Sequence, residues 1–139
     1  MLTEKFLQVL EHEGVVAIIS WNKHEPHVTN TWNSYLTVTK DEHLLIPAVG
    51  MSHLEEDCAE NPTVIVTLGS REVEGRNGYQ GTGFKLYAQA HFLDEGQDFN
   101  HMKERFPFLR KVLELSPTSL KQLLKKMLEK TVHLSRFFV

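Results

Sequence analysis

Apolar and polar residues alternate with period two through much of this chain, and no other feature constrains its fold as tightly. Phe84, Leu86, Ala88, Ala90 and Phe92 alternate with Lys85, Tyr87, Gln89 and His91, the pattern of a strand with one buried face. Val64, Val66 and Leu68 alternate with Thr63, Ile65 and Thr67. Over residues 26–38, Trp32, Ser34, Leu36 and Val38 fall on one side, and Thr31, Asn33, Tyr35 and Thr37 on the other. Residues 15–20 form a continuous apolar run of strand length, expected to be buried on both sides. Residues 43–47 and 111–115 are shorter strands.

Helices are expected at four places. Leu2, Phe6, Val9 and Leu10 recur at helical spacing behind Thr3 as N-cap, with Gly14 placed as C′. Ser52 followed by Glu55 is a capping-box pattern, and the helix it opens must stop before Asn61-Pro62. Residues 97–106 can form a helix up to Pro107. Ser116-Pro117 reads as N-cap plus first-turn proline, ahead of Leu120, Leu123, Leu124, Met127 and Leu128. Residues 77–83 form a glycine-dense turn. Six strands with few helices between consecutive ones predict a mainly β (α+β) fold, a small antiparallel barrel with helices outside it.

The 139 residues make one domain, 1–139, large enough to be stable without disulfides. The lone Cys58 excludes an internal disulfide and fits a reducing, cytoplasmic setting. A net charge of −3 argues against a general nucleic-acid binder. No apolar stretch has the length to span a bilayer, so a soluble protein is expected. The eight histidines are dispersed without zinc-ligand spacing, and no metal site is expected. Cys58 has no evident activating base and reads as a structural thiol. Lys121, Lys125, Lys126 and Lys130 mark a solvated helix face.

Three stretches carry chemistry. Asn30-Thr31-Trp32-Asn33-Ser34-Tyr35 presents amide, hydroxyl and aromatic groups together, which suits a flat heteroaromatic ligand with polar edges; a sheet face wetted by solvent would look the same. Gly50-Met51-Ser52-His53 opens a helix whose free N–H groups suit a phosphate, although Ser52 and Glu55 also serve simply to cap it. Gly78-Tyr79-Gln80-Gly81-Thr82-Gly83-Phe84 lacks the context of a dinucleotide fingerprint and the Gly-Lys-Ser/Thr of a P-loop. It is either a tight turn or a place where backbone N–H groups meet a ligand.

As a set, these stretches resemble the FMN-binding split-barrel family, the pyridoxamine 5′-phosphate oxidase-like group, and most closely its minimal bacterial members. Asn30 to Tyr35, Pro47 to Met51, Thr67-Leu68-Gly69-Ser70, Gly75-Arg76-Asn77-Gly78 and Gly81-Thr82-Gly83-Phe84 carry the likeness. It runs from about residue 13 to residue 92. The resemblance implies a six-stranded antiparallel split barrel that forms a homodimer with one FMN per subunit. It places Asn30, Thr31, Trp32, Asn33 and Ser34 along the flavin and its chain, and Trp32 and Tyr35 near the ring. Gly50, Met51 and His53 would sit by the phosphate, and Pro47, Ser52 and Leu54 beside them would also be cofactor-binding. Thr67, Leu68, Gly69, Gly81, Thr82 and Gly83 would border the ring edge.

The sequence departs from the family in two places. His53-Leu54 stands where minimal members carry Lys-Thr, so the phosphate loses a permanent cation and a hydroxyl. A C-terminal helical extension over about 116–139, with its Phe137-Phe138-Val139 tail, goes beyond the minimal pattern. The function implied is an FMN-binding redox protein, either an electron carrier with a partner protein or an FMN-dependent oxidoreductase. The alternative is a split-barrel dimer that has lost FMN and serves as an interaction module or binds another planar ligand.

Overall fold

Thr3 opens the first helix as expected: its hydroxyl accepts the Phe6 N–H at 3.2 Å, satisfying one of the donors a helix start leaves free. This computed structural model describes residues 1–123. Helix α1 (Glu4–Leu10) buries Phe6 and Val9 and closes at Glu11, so Gly14 is not its C′ residue. Gly14 is needed for another reason. A Cβ there would lie 2.6 Å from the Gly69 carbonyl oxygen and 2.8 Å from Asn33 Nδ2.

Strands β1 (Val15–Trp21) and β2 (Pro26–Trp32) form an antiparallel hairpin running from Val15↔Trp32 to Trp21↔Pro26. β1 is not buried on both sides. Val16, Ile18 and Ser20 face the core, whereas Val15 is half-exposed and Ala17 and Ile19 are only partly covered. The expected single strand over 26–38 is also broken. Residues Asn33–Tyr35 form a 3-10 turn, and the chain resumes as β3 (Thr37–Val38). Asn33 causes the break, because its backbone and side chain are drawn inward by bonds to distant carbonyls. The turn shifts the alternation, so Trp32 is exposed while Leu36 is buried.

β4 (Leu44–Pro47) pairs with β3 and continues towards α2 (Ser52–Glu60). The capping box does not form. Met51 is the N-cap residue and no side chain caps the helix; Glu55 instead pairs with Lys111. β5 (Thr63–Glu74) and β6 (Gln80–Leu93) form the longest hairpin. Its turn centres on Asn77 and Gly78, both with positive φ, so Gly81, Thr82 and Gly83 lie in strand β6 rather than in the turn.

After α3 (Gln97–Arg105), β7 (Val112–Gln122) is far longer than the strand expected over 111–115. Ser116-Pro117 opens no helix. Proline fits this strand because the register with β6 shifts there, with Tyr87 opposite Ser119 and Ala88 opposite Pro117. Thr118 is left as the extra residue of a bulge, where a missing N–H is tolerated; its hydroxyl donates to the Tyr87 carbonyl at 3.2 Å. The remainder of the expected C-terminal helix and tail lies outside the described residues.

All pairings are antiparallel, in the order β2-β1-β5-β6-β7-β4-β3. Among the described residues the count is seven strands rather than six, because the 26–38 segment splits in two. Val16 and Ile18 of β1 share one core with Leu44 and Ile46 of β4, although β1 and β4 are near opposite ends of the sheet. The sheet therefore curls around a common interior. Phe6 and Phe84 meet edge to face there, with centroids 5.5 Å apart, a favoured aromatic geometry. A second cluster of Leu45, Met102, Phe106, Leu109 and Val112 joins α3 to β4 and β7.

Candidate functional site

Asn33 is fully buried, and its position organises the residues around it. Its backbone N–H donates to the Gly14 carbonyl at 2.9 Å. Its Nδ2 donates to the carbonyls of His12 at 2.9 Å, Gly69 at 3.2 Å and Val9 at 3.3 Å. Three carbonyl acceptors around one amide nitrogen fix the side-chain orientation and leave Oδ1 buried without a partner. One residue thus ties the end of α1 to β5 and to the chain leaving β2.

Ser34 is held from two sides. Its N–H and hydroxyl donate to the two oxygens of Glu13 at 3.2 and 2.7 Å, and these bonds hold the Glu13 carboxyl below the ordinary glutamate range. Arg105, at the end of α3, donates to the Ser34 carbonyl and, at 2.7 Å, to Thr37 Oγ1. Its guanidinium lies over the Phe106 ring at 4.8 Å, and Tyr35 packs on the same ring.

Glu13 and Gly14 also form one wall of a cleft of about 660 Å³. Its other walls are Gly69 to Glu72 of β5, Tyr79 to Gly83 at the start of β6, Arg76 and Leu123. The glycines let the two strands approach closely: a Cβ on Gly69 would lie 2.8 Å from the Thr82 carbonyl oxygen. Much of the wall is therefore backbone, with Arg71, Glu72 and Arg76 providing charge.

The start of α2 forms a separate feature. Gly50 has φ +66° with open space around it, Met51 is buried, and Ser52 and His53 are exposed. The His53 ring stacks on His27 of β2, with centroids 4.6 Å apart and planes 20° apart. Beneath them Asp57, 1% exposed, accepts hydrogen bonds from Ser20, Asn22 and His27. Leu54 is wholly in the core and Pro47 is buried in β4.

The structure therefore groups the residues singled out from the sequence into distinct sets. Gly69, Gly81, Thr82 and Gly83 line the cleft, and Ser34 adjoins it through Glu13. Gly50, Met51, Ser52 and His53 gather at the start of α2. Thr31 points inward from β2, while Asn30 and Trp32 point outward. Leu68 faces the core, Thr67 lies on the opposite face of β5, and Tyr35 is half-buried against Phe106. Glu13, Arg71 and Glu72 of the cleft, and His27 and Asp57 beneath His53, are not reached by sequence reasoning, whereas Tyr79 falls within the glycine-dense stretch 78–84. Arg71 and Arg76 flanking a glycine turn were the one available signal.

Burial, and then the Asp57 charge, push the Cys58 thiol up to about 11, so it carries little thiolate at neutral pH. Among the described residues no three His, Cys, Asp or Glu side chains converge to hold a metal ion, and no helix is long and apolar enough to cross a membrane.

Comparison with known proteins agrees with this architecture. HupZ of Group A Streptococcus superposes with a TM-score of 0.72 at 11% identity, over 88% of this chain and 94% of that one. An FMN-binding protein from Syntrophomonas wolfei superposes at 0.69 and 16% identity, over 89% and 88%. Likeness at such identities defines the fold: the curled sheet and its helices are a split barrel of the pyridoxamine 5′-phosphate oxidase type. The family model described as pyridoxamine 5′-phosphate oxidase matches residues 2–124. The FMN-binding protein of Nitratidesulfovibrio vulgaris (strain DSM 19637 / Miyazaki F) is 42% identical over 124 residues, 89% of this chain and all of that one. This chain belongs to the pyridoxamine 5′-phosphate oxidase family.

Proposed function

We propose that this protein binds FMN and works as a redox protein, an electron carrier or a flavin-dependent oxidoreductase, in the cytoplasm. Whole-length similarity to a protein named for FMN binding supports the cofactor. The observation that carries the reading is the course of residues 27–34. At one end His27 stacks on His53 at the start of α2; at the other Ser34 is bound to Glu13 in the cleft wall. A single stretch of chain therefore links a place suited to a phosphate with a place suited to a ring.

The residues fit the parts of FMN. The cleft volume lies within the range of small-molecule sites, and its glycine walls let backbone groups reach ring edges. The free N–H groups at the start of α2 suit the phosphate. When bound, the isoalloxazine supplies the electron chemistry, and the protein supplies binding and orientation.

A homodimer, with two sheets meeting face to face, is part of this proposal. The pairing registers place Val28, Ile19, Ile65 and Tyr87 in one row across four adjacent strands, on the face away from the core. Val15 and Trp32, paired four residues further along β1 and β2, lie on the same face, and Val15, Val28, Trp32 and Tyr87 are all exposed. No described helix covers this apolar face, which supports burial against a second copy.

The alternative, a split-barrel dimer that has lost FMN and acts as an interaction module, is favoured by one observation. Leu54 is fully buried and offers the phosphate nothing polar. Colour separates the two. The proposed function predicts a yellow purified protein that releases FMN, rather than FAD or riboflavin, on heating. Colourless protein that takes up no added FMN would leave the alternative.

A further inference from the structure

Asp57 is a buried carboxylate to which the proposed function gives no task. It receives three hydrogen bonds from three pieces of chain. Ser20 Oγ of β1 donates to Oδ2 at 2.7 Å, Asn22 Nδ2 of the hairpin turn donates to Oδ1 at 2.9 Å, and His27 Nδ1 of β2 donates to Oδ2 at 2.7 Å. The second ring nitrogen of His27 lies 3.3 Å from Glu25 Oε1. A ring with acceptors at both nitrogens is arranged as a double donor, which is the protonated form. The face of this ring is covered by His53. Ser20, Asn22, Glu25, His53 and Asp57 thus surround His27 from β1, the turn and α2.

A negative charge enclosed this way is costly unless it is compensated. Burial alone pushes the Asp57 carboxyl up, but the bonds from His27, Ser20 and Asn22 outweigh it and hold the group ionised. The hydrogen bond to Asp57 raises the His27 pKa above the ordinary histidine value, against the effect of burial. If the proton leaves His27, Asp57 keeps its hydrogen bonds from Ser20 and Asn22 but loses its counter-charge.

We propose that His27 is a positioning residue of the phosphate end of the flavin site: it neutralises Asp57 and supports the His53 ring, so that the preference for phosphate-bearing flavin falls when the Asp57 charge loses this counter-charge. This rests on the FMN reading above. The folded-state pKa of His27 is raised, so its charge is complete below the ordinary histidine value and is lost as pH climbs through the raised one. The preference for FMN over riboflavin should follow that loss.

The test measures the affinity ratio of FMN to riboflavin for wild type, His27→Gln, Asp57→Asn and the double variant. Variants are compared with wild type at the same pH, at each pH measured, so that the phosphate's own ionisation cancels. His27→Gln strands the Asp57 charge and should lower the ratio about fivefold, the effect of one partly screened charge. Adding Asp57→Asn should recover most of that loss. Asp57→Asn alone should flatten the decline of the ratio between pH 7 and pH 9, and it carries the test if His27→Gln does not fold. A merely structural pair would weaken both flavins in parallel and leave the ratio unchanged, which would overturn the proposal while the FMN reading stands. Wild-type protein that binds neither flavin would overturn both.

Discussion

Ser34 is bound twice to Glu13, its N–H and its hydroxyl each donating to a separate carboxylate oxygen. The pair closes the 3-10 turn that follows β2 against the wall of the cleft, so the geometry of the turn depends on the ionisation of one side chain.

That dependence predicts an acid-sensitive contact. The folded-state pKa of Glu13 lies below its ordinary value of about 4.5. Its contribution is therefore complete above the ordinary value and lost as pH falls through the lowered one. Wild type should outlast Glu13→Gln in urea at pH 7, and the gap between their midpoints should narrow as pH falls below the ordinary glutamate range. A gap that stays constant with pH would mean the carboxylate charge is not what holds Ser34.

Asn33 should be the costliest single polar residue in this region to remove. Asn33→Ala leaves the carbonyls of Val9, His12 and Gly69 without their shared donor, and a loss of about 1–3 kcal/mol is expected in equilibrium unfolding. Asn33→Asp should cost more, because it turns an acceptor and a negative charge towards those same oxygens.

Two glycines should respond for different reasons. Gly14→Ala brings a Cβ to 2.6 Å from the Gly69 carbonyl; this overpacking should cost about 1–3 kcal/mol and should disturb the cleft. Gly50→Ala meets no neighbour but holds φ +66°, so a cost of about 1–2 kcal/mol should come from backbone strain alone. Denaturant titration of both variants, with circular dichroism as a check on fold, measures the difference.

These long-range contacts explain what the sequence could and could not reveal. The alternation of Val64, Val66 and Leu68, and of Phe84, Leu86 and Ala88, marked strands because burial on one face imposes period two directly. The split of the 26–38 segment was hidden, because the groups that draw Asn33 inward lie 21 to 36 positions away in sequence. Gly81 and Gly83 looked like a turn because glycine commonly marks turns; here it serves the close approach of two strands. Ser116-Pro117 mimicked a helix start because a strand bulge also tolerates proline. In the candidate site, glycine density pointed to Gly69 and Gly81 to Gly83. Nothing local pointed to Glu13 or Asp57, whose bonds to Ser34 and to Ser20, Asn22 and His27 span 21 to 37 positions.

The outward row of Val28, Ile19, Ile65 and Tyr87 should hold two copies together. Val28→Glu or Tyr87→Glu puts a charge on that face, where its burial is costly. Wild type should sediment as a dimer at micromolar concentration and either variant as a monomer. A monomeric wild type would show that this face serves something else.

The central claim is that one FMN binds to each chain. Calorimetric titration of flavin-free protein with FMN tests it most directly. Saturation at one FMN per chain is expected, with riboflavin binding more weakly because it lacks the phosphate. No heat of binding and no uptake of colour at any FMN concentration would contradict it.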